Sequence, residues 1–303
     1  MTSGENPRHI APRLALIIGI AAVSSGSVFV RLAQADAPSL TVAAYRLGLA
    51  ALILLFPAWL RYRSEIAELR LSDWLWAVAS GLFLAVHFAT WITSLEYTSV
   101  ASSVALVSTS PLWVALFAWI AWREPLMPSL VTGLGMALAG SIVISFAEAR
   151  TAISASPFLG NALALAGALA VSGYWLIGRK LRRRISLIPY VAVVYGAAAV
   201  ILLATALALG RPLAGFQPAT YGWFLLLALL PQLLGHSSFN WALGHLPASF
   251  VAIATLGEPI GAAILAFIFL GETPSWLKIA AAAMILAGIY LALVQRQGEP
   301  PQR

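Results

Sequence analysis

Cysteine is absent from this 303-residue sequence. No disulfide and no thiolate metal site can form. Charge is scarce as well: charged residues make up 10% of the chain, against roughly 25% in a soluble domain. Histidine occurs four times, and no His and carboxylate spacing matches a metal site. A Gly-rich Walker-type phosphate loop is missing, which excludes ATP hydrolysis by this chain. A Gly-x-Ser-x-Gly elbow and a Ser–His–Asp order are missing too. Isolated His and Glu residues do not make a reactive cluster, so no enzyme and no cofactor is expected.

What remains is apolar. Hydrophobic residues make up 61% of the chain, which points to a polytopic membrane protein. A span needs about 20 apolar residues. Ten stretches qualify: 12–33, 38–60, 73–95, 98–121, 128–147, 157–178, 187–209, 219–243, 247–270 and 275–294. The connections are too short for a soluble domain, and polar tails flank the spans. Span 1 follows Arg8 and Arg13 as a signal peptide would. Its length, and the lack of a clear cleavage site, favour a retained helix.

The net charge of +7 is spread over short loops, which argues against a nucleic-acid partner. If the N-terminus is cytoplasmic, the inner loops hold Arg61, Arg63, Arg70, Arg123, Arg179, Lys180, Arg182, Arg183 and Arg184. The tails add Arg8, Arg13, Arg296 and Arg303. The other group is Arg31, Arg150, Arg211 and Lys278, with Arg46 inside span 2. Thirteen against five places both termini inside. Trp and Tyr residues near the span ends, Trp59, Trp74, Trp223 and Trp276 among them, fit interfacial belts.

The chain repeats itself. A shift of 148 residues pairs Pro111 with Pro259 and Glu124 with Glu272. It also pairs Met136, Leu138, Ala139 and Gly140 with Met284, Leu286, Ala287 and Gly288. Spans 4–5 match 9–10 well. Span 1 matches less well, since Ser25-Gly26 against Ser172-Gly173 needs a shift of 147. Each half, 1–150 and 151–303, holds five spans. Five is odd, so the second half enters the membrane inverted, as in alternating-access transporters. The expected fold is an all-α polytopic membrane protein of ten transmembrane helices in two inverted-topology five-helix repeats.

The Gly257-Glu258-Pro259 run, its small residues, the closing Glu272 and Met-x-Leu-Ala-Gly at 284–288 resemble the drug/metabolite transporter superfamily. The ten-span, two-half form resembles its EamA-type exporters over nearly the whole chain. At the first-half counterpart, Ser110 stands where the pattern often has Glu. The resemblance implies a bacterial inner-membrane permease exporting small metabolites. Aromatic and other neutral amino-acid exporters are the nearest match. Nucleotide-sugar and triose-phosphate carriers share the superfamily, but the spans hold no basic cluster suited to phosphates. A multidrug exporter of organic cations is an alternative, and a non-transporting membrane scaffold is another. The partners are a small-molecule substrate and the bilayer; monomer and dimer are both compatible.

An ionisable side chain at a helix centre costs about 2.5–3.5 kcal/mol on insertion scales, so the few polar residues within spans are informative. Glu258 lies halfway along span 9. If the helix restarts at Pro259, Glu258 sits at a new N-terminus, where the dipole favours a negative charge. It serves either as a proton or substrate-amine site or as a structural cap. Span 8 carries Pro231, Gln232, His236 and Asn240; the spacing of four puts the last three on one face. That stripe lines a cavity or holds neighbouring helices. Span 3 carries His87 and Trp91, with Ser94 one step on. His87 and His236 fit inverted symmetry only loosely. The shift pairs Phe88 with His236, so either the faces differ or the alignment slips by one.

Arg46 either snorkels to the outer surface or pairs with an acid or a substrate carboxylate. Trp113 follows Pro111 at mid-membrane, to stack on a substrate or to pack. Tyr45, Tyr174 and Tyr195 are weaker candidates of the same kind. The serines and threonines of spans 1 and 4 permit close packing or line the path, and Glu124 and Glu272 read as caps. Spans 5 and 10 buttress the rest through small residues. The expected substrate residues are therefore His87, Trp91, Ser94, Trp113, Gln232, His236, Asn240 and Glu258. The expected kink residues are Pro111, Pro259 and Pro231, and no metal ligand is expected.

Overall fold

A computed structural model describes residues 7–122, 128–149, 156–242, 245 and 255–295. Glu124, the first part of span 9 and the boundary between 150 and 151 lie outside the described residues. The elements in order are α1 (Pro7–Ser24), α2 (Gly26–Gln34), α3 (Ser39–Ala67), α4 (Leu71–Tyr97), α5 (Val100–Val107), α6 (Ser110–Trp122) and α7 (Pro128–Ala149). Then follow α8 (Pro157–Leu181), α9 (Leu187–Ala208), α10 (Pro218–Leu227), the π-helix π1 (Ala228–His236), α11 (Ser237–Ala242), α12 (Gly257–Leu270) and α13 (Trp276–Gln295). Among the described residues there is no strand. Among the described residues, seven stretches are long and apolar enough to cross a membrane, and three shorter apolar helices lie in spans 5, 9 and 10. The chain is a multi-pass membrane protein.

Local chemistry explains the starts and stops. Pro157 and Pro218 open α8 and α10, where a missing N–H costs nothing. Gly271 closes α12 in the left-handed conformation at φ 68°. Asp73 accepts the Arg70 N–H at 3.2 Å and caps α4. Span 4 is not one helix: α5 ends at Val107, two residues turn, and α6 restarts at Ser110 just before Pro111. In the second half, Thr255 and Leu256 turn and α12 begins at Gly257, two residues before Pro259. Span 1 is also interrupted, at Ser25, whose hydroxyl bonds the Ala22 carbonyl at 2.7 Å. The sequence pattern of span 1 carries no sign of that break.

The halves are inverted. In α3 and α9, repeat counterparts, the start of one meets the end of the other. Thr41 Oγ1 donates to the Pro212 carbonyl at 2.8 Å, and the Ser186 N–H to Glu65 Oε1 at 2.6 Å. The pair is therefore antiparallel. The other self-paired counterparts, α7 and α13, are antiparallel as well: Gly140 faces Ala281 while Gly288 faces Gly133. A helix lying antiparallel on its own copy requires a two-fold axis across the helices.

The contacts fix the register too. Ser24 Oγ bonds the Ile20 and Glu258 carbonyls at 2.8 and 3.4 Å; Ser172 Oγ bonds those of Ala168 and Ser110 at 2.7 and 2.9 Å. Gly19 abuts Phe239 and Gly167 abuts Trp91. Each set maps onto the other by the shift of 148. The expectation that span 1 needs a different shift is corrected: Ser24, not Ser25, is the counterpart of Ser172.

Small residues make these approaches possible. A Cβ on Gly140 would lie 2.6 Å from Ile285 Cγ1 and 2.9 Å from the Ala281 carbonyl oxygen, whereas one on Gly135 meets nothing within 4 Å. Gly140→Val should destabilise the protein by about 1–3 kcal/mol through overpacking. Gly135→Val should be nearly neutral. Thermal unfolding in detergent measures both; equal losses would contradict the packing account.

Candidate functional site

Arg46 is the eighth residue of α3 and is 1% exposed. It does not snorkel. Its Nε donates to Gln232 Oε1 at 2.9 Å, across the interface between the halves. Its guanidinium carbon lies 4.1 Å from the Phe88 ring centre and 5.6 Å from that of Trp91. A desolvated cation–π contact is worth about 2 kcal/mol, which helps hold a charge that burial alone would expel. Among the described residues, Glu258 forms no ion pair with Arg46.

The rings form one cluster. Phe88 is fully buried and meets His87 at 4.7 Å, Trp91 at 6.0 Å and His236 at 5.6 Å between centroids. His87 and Trp91 stack in parallel at 6.0 Å, as their spacing on α4 predicts. Phe88 and His236 are repeat counterparts. A residue in contact with its own counterpart lies at the two-fold axis, so this cluster marks the centre of the molecule. The open question about register is answered: the faces differ and the alignment does not slip. His87 turns instead toward α8, where Nδ1 meets the Gly167 carbonyl at 2.9 Å.

Gln232 and His236 reach the cluster from π1 rather than from the expected α-helix. Pro231 lies inside this element and has no N–H to give. The wider turn absorbs the defect: the Ser237 N–H bonds the Gln232 carbonyl five residues back. Pro231 also faces Gly26, where a Cβ would lie 3.3 Å from Pro231 Cβ and 3.7 Å from Arg46 Nη1. Glycine there keeps span 1 close to span 8.

Among the described residues, Arg46 Nη1, Gln232 Nε2, Trp91 Nε1 and His236 Nδ1 of this cluster, and Ser27 Oγ of α2, are buried without a hydrogen-bond partner. Buried polar groups are normally satisfied, so these stand out.

The remaining expected residues sort differently. Glu258 lies in the first turn of α12 and is only partly buried. The Asn240 amide is used up by the Tyr174 hydroxyl at 2.7 Å and the His236 carbonyl at 2.8 Å. Tyr174 and Tyr195 are fully buried. Tyr45 bonds the Leu213 carbonyl at 2.7 Å and stacks on Phe224, away from Arg46's partners. Ser94 spends its hydroxyl on the Trp91 carbonyl at 2.6 Å and on Ser103 at 2.7 Å, so it fastens α4 to α5. Trp113 donates to Thr109 Oγ1 at 3.0 Å within its own stretch, and no ring contact among the described residues ties it to Phe88. From the sequence, Arg46 and Ser27 each keep two readings, and Phe88 is not singled out. A signal existed for Phe88, since the repeat shift pairs it with His236. Among the described residues no metal-ligating cluster occurs.

The architecture matches known proteins. The model of the EamA-like transporter family matches twice, over residues 12–146 and 158–294. The chain belongs to the EamA-like transporter family, and it is a transporter rather than an enzyme. An uncharacterized transporter of Archaeoglobus fulgidus is 24% identical over 274 residues, covering 89% of this chain and 92% of that protein. A Bacillus subtilis transporter, YxxF, is 26% identical, covering 92% and 89%. A probable terminal-alkyne amino-acid exporter of Streptantibioticus cattleyicolor is 27% identical over 187 residues, 61% of each chain. A solved crystal structure shares the fold with a TM-score of 0.67 at 19% identity, covering 96% of this chain and 99% of that one.

Gln232→Leu should strand the Arg46 Nε–H in an apolar setting and cost about 1–3 kcal/mol. It should lower substrate flux at least tenfold, since it also removes an unpartnered donor. Ser94→Ala should cost about 1 kcal/mol and leave flux near wild type. Flux and thermal stability measured on both variants check this; a larger flux loss in Ser94→Ala would contradict the division of roles.

Proposed function

We propose that this transporter exports neutral and aromatic amino acids by alternating access across a bacterial inner membrane, with both termini cytoplasmic. The observation that carries this reading is the meeting of Phe88 with its counterpart His236 beside Arg46, at the seam between halves 1–150 and 151–303. A site on the symmetry axis is equally placed for access from either side. His87, Trp91, Gln232 and His236 supply rings and hydrogen-bonding groups to a mostly apolar site, which suits an amphipathic metabolite. The name of the Streptantibioticus relative supports an amino-acid class. An organic-cation substrate is disfavoured, because the buried Arg46 would repel it.

Pro111 and Pro259 are read as the bending points, and the Ser172 and Ser24 hydroxyls bond the carbonyls of Ser110 and Glu258, the residues just before them. At the end of the molecule carrying Arg31, which the charge distribution makes the outer one, the halves are pinned together. Arg31 pairs with Glu272 at 3.3 Å and donates to the Thr98 carbonyl at 3.1 Å; Glu272 Oε2 accepts the Val100 N–H at 2.9 Å. Spans 1, 4 and 9 therefore close together on this face.

Phenylalanine counterflow should run in liposomes containing only this chain. No flux of any amino acid would sink the reading and favour a scaffold. Glu272→Gln should weaken the closed face by about 1 kcal/mol, roughly fivefold in population. A cysteine placed at Ser27 should then react correspondingly faster with an impermeant maleimide added from the outer side. Unchanged or slower labelling would remove Glu272 from the closure.

A further inference from the structure

We propose that Arg46 is the anchor for a carboxylate on the transported molecule, so that the site takes aromatic carboxylic acids, with an α-amino group as an addition rather than a requirement. This rests on reading the cluster around Phe88 as the substrate site. The argument lies in the kind of atom left unpartnered. Arg46 Nη1, Gln232 Nε2 and Trp91 Nε1 are N–H groups that only donate, and their residues are 1%, 0% and 5% exposed. They come from α3, π1 and α4, elements of both halves, and Arg46 touches the other two residues. Among the described residues, the guanidinium Nε–H donates to the neutral Gln232 oxygen at 2.9 Å.

A buried guanidinium with donors to spare calls for an anion with several lone pairs, and a carboxylate offers about four. Inorganic anions and phosphates would leave the aromatic surface unused. The Phe88 and Trp91 rings beside the guanidinium suit a ligand whose carboxylate and aromatic part lie close together.

The test measures binding of three probes to the purified full chain in lipid nanodiscs. The probes are L-phenylalanine, 3-phenylpropanoate without the amine, and phenethylamine without the carboxylate. The wild type should bind phenylalanine and 3-phenylpropanoate within about tenfold of each other, and phenethylamine at least about tenfold more weakly. Arg46→Gln should lose about tenfold or more for both carboxylates and nothing for the amine, with Arg46→Lys in between. Phenethylamine binding as tightly as phenylalanine to the wild type would overturn the anchor while leaving the site reading in place. The wild-type ranking decides this even if Arg46→Gln fails to fold. Failure of the wild type to bind any of the three would overturn the amino-acid reading itself, and the anchor with it.

Discussion

A guanidinium held away from water between two inverted half-molecules is the constraint on which the rest of this structure turns. Arg46 cannot be buried alone in an apolar bundle. The protein surrounds it with a hydrogen-bonding oxygen from one half and two aromatic faces from the other. Placing that oxygen requires Gln232 to approach from π1, where Pro231 has displaced the regular ladder. Placing the rings requires α4 to lie close on α8, which Gly167 permits beside Trp91. The site is thus built by the same contacts that join the halves, and it does not belong to either half alone.

The symmetry is exact in its scaffolding and broken in its centre. Ser24 and Ser172, Gly19 and Gly167, and Gly140 and Gly288 make matching contacts across the axis. Matching scaffolds are what the proposed alternating mechanism needs, since they would let two oppositely facing states pack comparably. Around the axis the counterparts differ: Phe88 answers His236, Trp91 answers Phe239, and Ser110 answers Glu258. A substrate with chemically distinct ends has no use for a symmetric site, so divergence is expected where contact with it occurs.

Much of this was legible beforehand. Composition and span length gave the membrane class, and the shift of 148 gave the inverted repeat. Pro111 lies beside the break between α5 and α6. The His87–Trp91 stack followed from a spacing of four on a regular helix. What stayed hidden depends on tertiary placement. Whether Arg46 snorkels or stays inside is decided by which rings pack over it, and no pattern within span 2 records that. Ser94 and Asn240 look like path-lining residues in one dimension, yet each spends its hydrogen bonds on a neighbour. The π-turn at Pro231 and the break at Ser25 redirect side chains that a uniform helix would have placed elsewhere.

A structure of the chain with bound phenylalanine would test the central claim most directly. The account predicts the carboxylate within hydrogen-bonding distance of Arg46 Nη1 and Gln232 Nε2, with the ring against Phe88 or Trp91. An amino acid seated away from the symmetry axis, or bound with its ammonium group toward Arg46, would contradict it.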